Sequence, residues 1–397
     1  MRLAIVIPGF QSDADDWCIP VFTNLARELA EHVELHVFAL RYPHRRDDYI
    51  VGRVHVHSLG GGAVGGFRIF GFSLGKLWGD FQDKIERVHA ATPFDAVMGI
   101  WATESGWLAV RAARKMGLRS LVHLAGGEIV TLPYIQYGNR GHGLPGRMVP
   151  ETLANTDLIT VPSGPMERAL HRMPGINKKG VLAKVRRWAP GVDTELFSPQ
   201  QSETGASGPF TFVSVGSLLR VKGQRLLVHA LARLRNRMRS DFNIYLRIVG
   251  SGPQLRDLEV EVRHHRLEGY VTFEGEVTHE RLPELYRQSS AFLLGSHHEA
   301  QCMAALEAMS CGLPWVAPAV GIIPDVARAD VGETPTGMIF DSRDPGLVAS
   351  TMQAMIALPP DERRRWGAQT RNRVVRDYEM RRQAQRLLSL IGELTAR

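Results

Sequence analysis

Short apolar runs alternate along the chain with stretches whose apolar positions recur every three or four residues. LAIVIPG is followed by PVFTNLARELAEH, in which Phe22, Leu25, Ala26 and Leu29 share one helical face. VELHVFAL comes next, then VGRVHVHSL with strand-like alternation, then a helical pattern from about Leu77 to His89. FDAVMGIWA, a helix through GWLAVRAARKMG and the strand SLVHLAGG close this series. Strands separated by helices predict βαβ units and a mainly parallel sheet. The passage RRWAPGVDTELFSPQQSETGASGPF, residues 186–210, has many breakers and little periodicity, and reads as a linker. Beyond it the alternation restarts with FTFVSVG, GQRLLVHALARLRNR, NIYLRIVGSG, QLRDLEVEVRHH, YVTFEGEV, LPELYRQ and AFLLGS. Two α/β domains joined by a linker predict a cleft between them, the usual place for a ligand.

Composition narrows this little. A chain of 397 residues is long enough for two or three domains at about 150 residues each. With 44% hydrophobic and 22% charged residues it can bury sizeable cores. Cys18, Cys302 and Cys311 form neither a CxxC pair nor an even framework, which fits reduced thiols in a cytoplasmic protein. MRLAIVIPGF meets Pro8 and Gly9 too early for a signal peptide and reads as a first buried strand. No run approaches the roughly 18 apolar residues of a membrane span. The net charge of +7 calls for an anionic partner, and nucleic acid, a membrane surface and a phosphorylated small molecule all qualify.

Three short patterns in the first half carry weak chemistry. Gly60, Gly62 and Gly65 satisfy GxGxxG, with Asp80 and Asp83 downstream, but they do not follow the first strand of their domain. GFSLG sets Ser73 in a nucleophile-elbow pattern with no buried strand leading into it. Asp13 and Asp15 form a lone DxD pair, of a kind usually solvated.

The second half is more specific. FVSVGSLLRVKG is a strand running into a turn with Gly216, followed by Arg220, Lys222 and Gly223 before a helix. Such a turn presents backbone N–H groups to an anion, and Lys222 adds a mobile cation. LRIVGSGP repeats the pattern with Gly250 and Gly252 at a strand's C-terminal end, where open α/β sheets bind ligands. In HHEAQCMAALEAMSCGLP, Glu299 and Glu307 stand eight positions apart in small, apolar company. Eight residues of ideal helix advance by about two turns and 80°. The two carboxylates therefore approach one ligand only if Glu299 precedes the helix and Glu307 lies on it. Vicinal hydroxyls suit a carboxylate and phosphate suits a helix N-terminus, and a sugar nucleotide has both.

The string from Glu299 to Glu307 resembles the E-x7-E motif of retaining glycosyltransferases of family 4, which have the GT-B fold. APGVDTELFSP is similar to the family's interdomain segment and VSVGSLLRVKGQ to its phosphate turn. LRIVGSGPQL, VTFEGEV, LEAMSCGLPWVAP, VGIIPD and TGMIFDSRDP follow in the family's order, while FDAVMGIWATESGWLAV and LVHLAGGE resemble its N-terminal strand–helix–strand unit. The likeness covers nearly the whole chain.

It implies two Rossmann-like domains facing each other across a cleft. An acceptor-side domain would span residues 1–190, with a C-terminal helix at 377–397 packing back on it, and a donor domain would span 208–376. Glu307 would bind the nucleotide ribose, Glu299 would face the donor sugar, and Lys222 with Arg220 would neutralise the diphosphate alongside the Gly216, Ser217 and Gly250 turns. His123 would meet the donor sugar from the N-terminal domain, and Asp15, Asp16 and Trp17 would lie on the acceptor side. No metal or other cofactor is implied.

The partners would be a nucleotide-sugar donor and a glycan, lipid-linked or small-molecule acceptor, with no nucleic acid. The basic stretches NKKGVLAKVRRW and RYPHRRDD would permit peripheral contact with an anionic membrane at its inner face. Ser217 stands where the family has arginine, Ala300, Gln301 and Cys302 replace a Gly-Phe-Gly, and Ile322 stands where a second glycine is common. An NAD(P)-dependent oxidoreductase using the Gly60–Gly65 loop and a non-catalytic nucleotide-sugar binder are the alternatives.

Overall fold

The first run, RLAIVIPG, is buried at all but one of its eight positions, as a strand with neighbours on both edges and cover on both faces must be. In the computed structural model the residues described are 1–397 except 14–15, 17, 63–71, 139–142, 177–179, 200–207, 239–241, 328–333, 342 and 397, and except the side chains of 72–74 and 145. The chain divides into two compact units, Met1–Gly191 with Met380–Arg397, and Val192–Glu379.

The first unit opens with β1 (Arg2–Gly9), α1 (Pro20–Ala30), β2 (Glu34–Tyr42), β3 (Arg46–Val51) and β4 (Val54–Leu59). It continues with α2 (Phe72–Ala91), β5 (Ala96–Ile100), α3 (Glu104–Met116), β6 (Arg119–His123) and the short hairpin β7 (Thr131–Leu132) and β8 (Tyr137–Gly138). Then come α4 (Gly143–Asn155), β9 (Leu158–Val161), α5 (Gly164–His171) and β10 (Val185–Arg187). The sheet order is β10-β9-β6-β5-β1-β2-β4-β3, parallel throughout except for β3, which pairs antiparallel with β4 at the edge. The strand order reverses between β1 and β5. Gly60 and Gly62 follow β4, two strands from that switch point and away from where such sheets take a dinucleotide; Gly65 and Gly71 lie outside the described residues.

The segment RYPHRRDD contributes an edge strand whose charges are largely matched. Arg46 pairs with Asp80, Lys84 with Asp48, and His57 Nδ1 lies 2.8 Å from Asp48 Oδ1. That pairing leaves less of a basic face than the sequence suggests.

The C-terminal helix, Met380–Thr395, packs on this unit. Met380, Ala384, Leu387 and Ile391 join Phe22, Leu25 and Leu29 of α1 in one core, and Trp188 Nε1 donates to Gln383 O at 2.8 Å. Among the described residues no helix is long and apolar enough to cross a membrane.

The second unit runs β11 (Phe210–Val215), α6 (Gln224–Met238), β12 (Ile244–Val249), α7 (Leu255–His264), β13 (Val271–Gly275), α8 (Leu282–Arg287) and β14 (Ala291–Leu293). It ends with α9 (Met303–Ser310), β15 (Trp315–Ala317), α10 (Ile323–Ala327), β16 (Gly337–Ile339), α11 (Pro345–Ala357) and α12 (Pro360–Tyr378). All six strands are parallel, in the order β13-β12-β11-β14-β15-β16. This is the doubly wound order, with its switch point between β11 and β14.

The linker expected at 186–210 is partly built into this unit. Phe197 is fully buried, Asp193 Oδ1 accepts from the N–H groups of Glu195 and Leu196, and Val192 N donates to Tyr378 O at 2.8 Å. The C-terminal helix expected from 377 starts at Met380, because Glu379, at φ −62° and ψ 135°, is extended and ends α12.

Backbones crowd at the switch point. A Cβ on Gly250 (φ 131°) would lie 2.2 Å from Gly216 O, and one on Gly223 (φ 66°) would lie 2.1 Å from Gly295 O. These glycines let the ends of β11, β12 and β14 meet without side chains. We expect Gly250→Ala to cost at least the roughly 1–3 kcal/mol of a disallowed backbone conformation. Gly269→Ala, which meets nothing within 4 Å, serves as control; urea denaturation of both variants checks the difference.

Candidate active site

Two loops build the site, the turn leaving β11 and the segment between β14 and α9. Val215 pairs with Val249, so Gly216 and Gly250 leave the sheet side by side. The turn after β11 is stitched to the loop after β12, because Leu218 N donates to Ser251 O at 2.8 Å and Gln254 N donates to Leu218 O at 3.1 Å. On this turn Ser217 and Arg220 are exposed, while Lys222 is half-buried and points back across the switch point.

Lys222 Nζ lies 2.8 Å from Glu299 Oε1 and 3.0 Å from Oε2. Ser296 Oγ, just beyond β14, donates to Glu299 Oε1 at 2.7 Å. Glu299 is 8% exposed and precedes α9, the arrangement its eight-residue separation from Glu307 requires. A buried carboxylate with an ammonium and a hydroxyl on it is a prepared charge pair, and its lysine side chain is 29% exposed. The loop between Glu299 and α9 bends sharply: Cys302, where the family has glycine, takes φ 80°, and Ile322 N closes on Gln301 O at 2.8 Å.

Glu307 sits mid-way along α9, 6% exposed. Tyr286 OH donates to its Oε2 at 3.0 Å, and His279 Nε2 stands 3.1 Å from its Oε1. Burial disfavours charge on His279, but the hydrogen bond to Glu307 and its negative charge outweigh that and raise its pKa above 6.5. Burial drives the Tyr286 hydroxyl well above its ordinary value. The sequence marked Glu307 but missed both partners. Tyr286 reads there only as part of the helical pattern LPELYRQ. His279 follows the YVTFEGEV strand with no signal of its own.

In the first unit the expected residues fare differently. His123 ends β6 as a strand-end residue should, yet it is 1% exposed. Its Nδ1 is 3.0 Å from Thr160 Oγ1, its ring packs edge-on against Phe22 and Trp188, and burial lowers its pKa to about 3. The ring is held in place by side chains of its own unit. Asp16 is tied to its own loop and to the end of β2, accepting from Ser12 N at 2.7 Å, Cys18 N at 3.1 Å and Tyr42 OH at 2.7 Å. Asp15 and Trp17 lie outside the described residues, as does the side chain of Ser73. Glu128 was passed over in the sequence. It is buried beside the AGG turn, and burial pushes its carboxyl up to about 6 against hydrogen bonds from Ala125 N and Gly126 N.

Comparison with known proteins bears on this geometry. Residues 21–196 match the model of Glycosyltransferase Family 4, and residues 199–373 that of Glycosyl transferases group 1. The chain belongs to glycosyltransferase family 4. Over 174 residues this family 4 chain is 30% identical to the D-inositol 3-phosphate glycosyltransferase of Arthrobacter sp. (strain FB24), covering 42% of this chain and 40% of that protein. It thus spans about two-fifths of that relative's length.

Two solved structures are alike over the whole fold. Sucrose-phosphate synthase from Thermosynechococcus elongatus superposes with a TM-score of 0.78 at 22% identity, covering 100% of this chain and 99% of that one. Anabaena HepE in complex with UDP gives 0.72 at 15% identity, covering 99% and 100%. The architecture they share with this chain is GT-B.

Proposed function

We propose that this family 4 chain is a retaining, metal-independent glycosyltransferase. It moves a sugar from a nucleoside-diphosphate sugar held by the second unit to the hydroxyl of a glycan, lipid-linked or small-molecule acceptor. The observation that carries the reading is the Lys222–Glu299 pair at the switch point between β11 and β14. Breaking the bond between the anomeric carbon and the diphosphate builds negative charge on the leaving group. Lys222, beside Glu299, would balance that charge. Positive charge growing on the sugar ring falls on the side of Glu299. The acceptor oxygen attacks the face the diphosphate leaves, its proton passes to a diphosphate oxygen, and the anomeric configuration is kept.

Incubation with UDP-, GDP- and ADP-sugars, with free nucleoside diphosphate as the readout, tests the reading. We expect release from one class of donor, undiminished by EDTA, and NMR of the product should show the donor's anomeric configuration. An inverted product overturns retention, and loss of turnover in EDTA overturns metal independence. Nucleotide binding without any release would make the chain a binder. Tight NAD(P) binding abolished by Gly62→Val would restore the oxidoreductase reading.

A further inference from the structure

Away from the candidate active site, two groups of side chains among the described residues bring three metal-ligating atoms within 4.8 Å of one another. They differ in what already fills them. In the first unit the group is Glu34, His36 and His55. Arg2 Nε is 2.7 Å from Glu34 Oε1, and its Nη2 is 3.0 Å from His36 Nε2. The guanidinium also lies over the Phe94 ring, 4.5 Å from its centroid. That group already holds a cation, and the cation is Arg2.

The second group has no such occupant at its centre. It joins His229 of α6 to Glu261 of α7 and to His265, the residue that caps α7. Glu261 and His265 are four positions apart and share a helix face, which His229 meets from the neighbouring helix. Both imidazoles converge on one oxygen: His229 Nε2 lies 2.8 Å from Glu261 Oε2 and His265 Nε2 lies 3.8 Å from it. Their rings stand edge to face, 5.0 Å apart. Arg225 pairs with the other carboxylate oxygen, Oε1, from an exposed position. All three ligating residues are half-buried, so a fourth ligand can be water.

The chemistry of the donors selects an ion. Two imidazole nitrogens and one carboxylate oxygen suit zinc and its neighbours, while magnesium and calcium prefer oxygen alone. Bonds of about 2.0–2.1 Å in a tetrahedron put ligand atoms roughly 3.3 Å apart. The observed 2.8 and 3.8 Å bracket that spacing, and all three ligand atoms lie within 4.8 Å of one another, so side-chain rotations would bring them onto one ion. We propose that His229, Glu261 and His265 bind a divalent transition metal, best matched by zinc, which clasps α6 to α7 and takes no part in sugar transfer.

The test is a zinc titration of the full chain, first stripped with chelator, against a competing chromophoric chelator. We expect one zinc per chain at micromolar affinity, a melting temperature that rises with zinc, and sugar release that zinc removal leaves unchanged. His265→Ala and Glu261→Gln should each weaken binding at least tenfold and abolish the thermal shift. His55→Ala should do neither. Because the ligands are half-buried, circular dichroism and melting in chelator should show each variant folded as the parent is; Glu261→Gln also keeps side-chain volume. Wild-type affinity in Glu261→Gln and in a His229→Ala/His265→Ala double variant overturns the proposal. So does loss of the zinc in His55→Ala, which would place it on the Arg2 side instead. Stoichiometry, affinity and melting do not depend on a sugar substrate, so failure of the proposed transferase activity leaves those arms of the test intact.

Discussion

Lys222→Ala is expected to lower kcat/KM for sugar transfer by about 10²–10³, the loss found when one fixed donor to a developing negative charge is removed. The size follows from where the lysine is held. Its ammonium bridges both oxygens of Glu299, at 2.8 and 3.0 Å, and that carboxylate is itself fixed by Ser296. A cation held in this way reorganises little when a diphosphate leaves, and that is the source of its value in a partly dry site. The substitution has a second consequence, because it leaves Glu299 buried without its counter-charge. Unpairing a fully buried ion costs about 3–5 kcal/mol. Here the lysine side chain is 29% exposed, so water reaches the pair and the cost falls below that range.

The two effects separate in the double variant Lys222→Ala/Glu299→Gln. The melting temperature should recover towards wild type while turnover stays low. If the single variant retains turnover within fivefold of wild type, the pair is structural and the proposed role for Lys222 fails. If turnover returns along with stability in the double variant, the loss came from disorder and the role fails as well.

How far such an arrangement can be read from a sequence depends on which interactions make it. The strands of the second unit were legible because buried parallel strands are continuous apolar runs. The placement of Glu299 before α9 and of Glu307 on it was legible too, since Gly312 and Pro314 mark the helix end and fix the count backwards. β3 was not legible: RDDYIV is charged because it lies at a sheet edge, and its register comes from β4. β9 and β10, four and three residues long, are too short to give a period. His123 shows the other limit. Its position at a strand's end is a local property, but its burial is made by Phe22, Thr160 and Trp188, which come from well-separated parts of the chain. Tyr286 and His279 belong to the same class, since 21 and 28 residues separate them from the carboxylate they hold.

Those two partners change what Glu307→Ala should do. From sequence alone the variant is expected to lose nucleotide affinity and keep its fold. The structure adds a cost, because removing the carboxylate leaves the fully buried Tyr286 hydroxyl only Ala304 O, at 3.2 Å, and takes from His279 the charge it leans on. A hydrogen bond lost in this way costs about 0.5–1.5 kcal/mol net, so the melting temperature should fall as well. The ribose role proposed for Glu307 is compatible with these partners. An ionised carboxylate accepts about four hydrogen bonds, and Tyr286 and His279 account for two, leaving capacity for a vicinal diol. We expect at least a tenfold loss of nucleoside-diphosphate affinity by calorimetry; unchanged affinity would remove Glu307 from the donor site.

The pH dependence distinguishes the structural part. The pKa of His279 is raised in the folded chain, so the stability it adds is complete below about 6.5 and is lost as pH climbs through the raised value. Wild type should therefore weaken from pH 6 towards pH 8 more than Glu307→Gln, which keeps the shape and removes the charge. Parallel unfolding curves for the two proteins over that interval would mean that His279 draws its charge from Glu280 and Asp193, the other acids near it, rather than from Glu307.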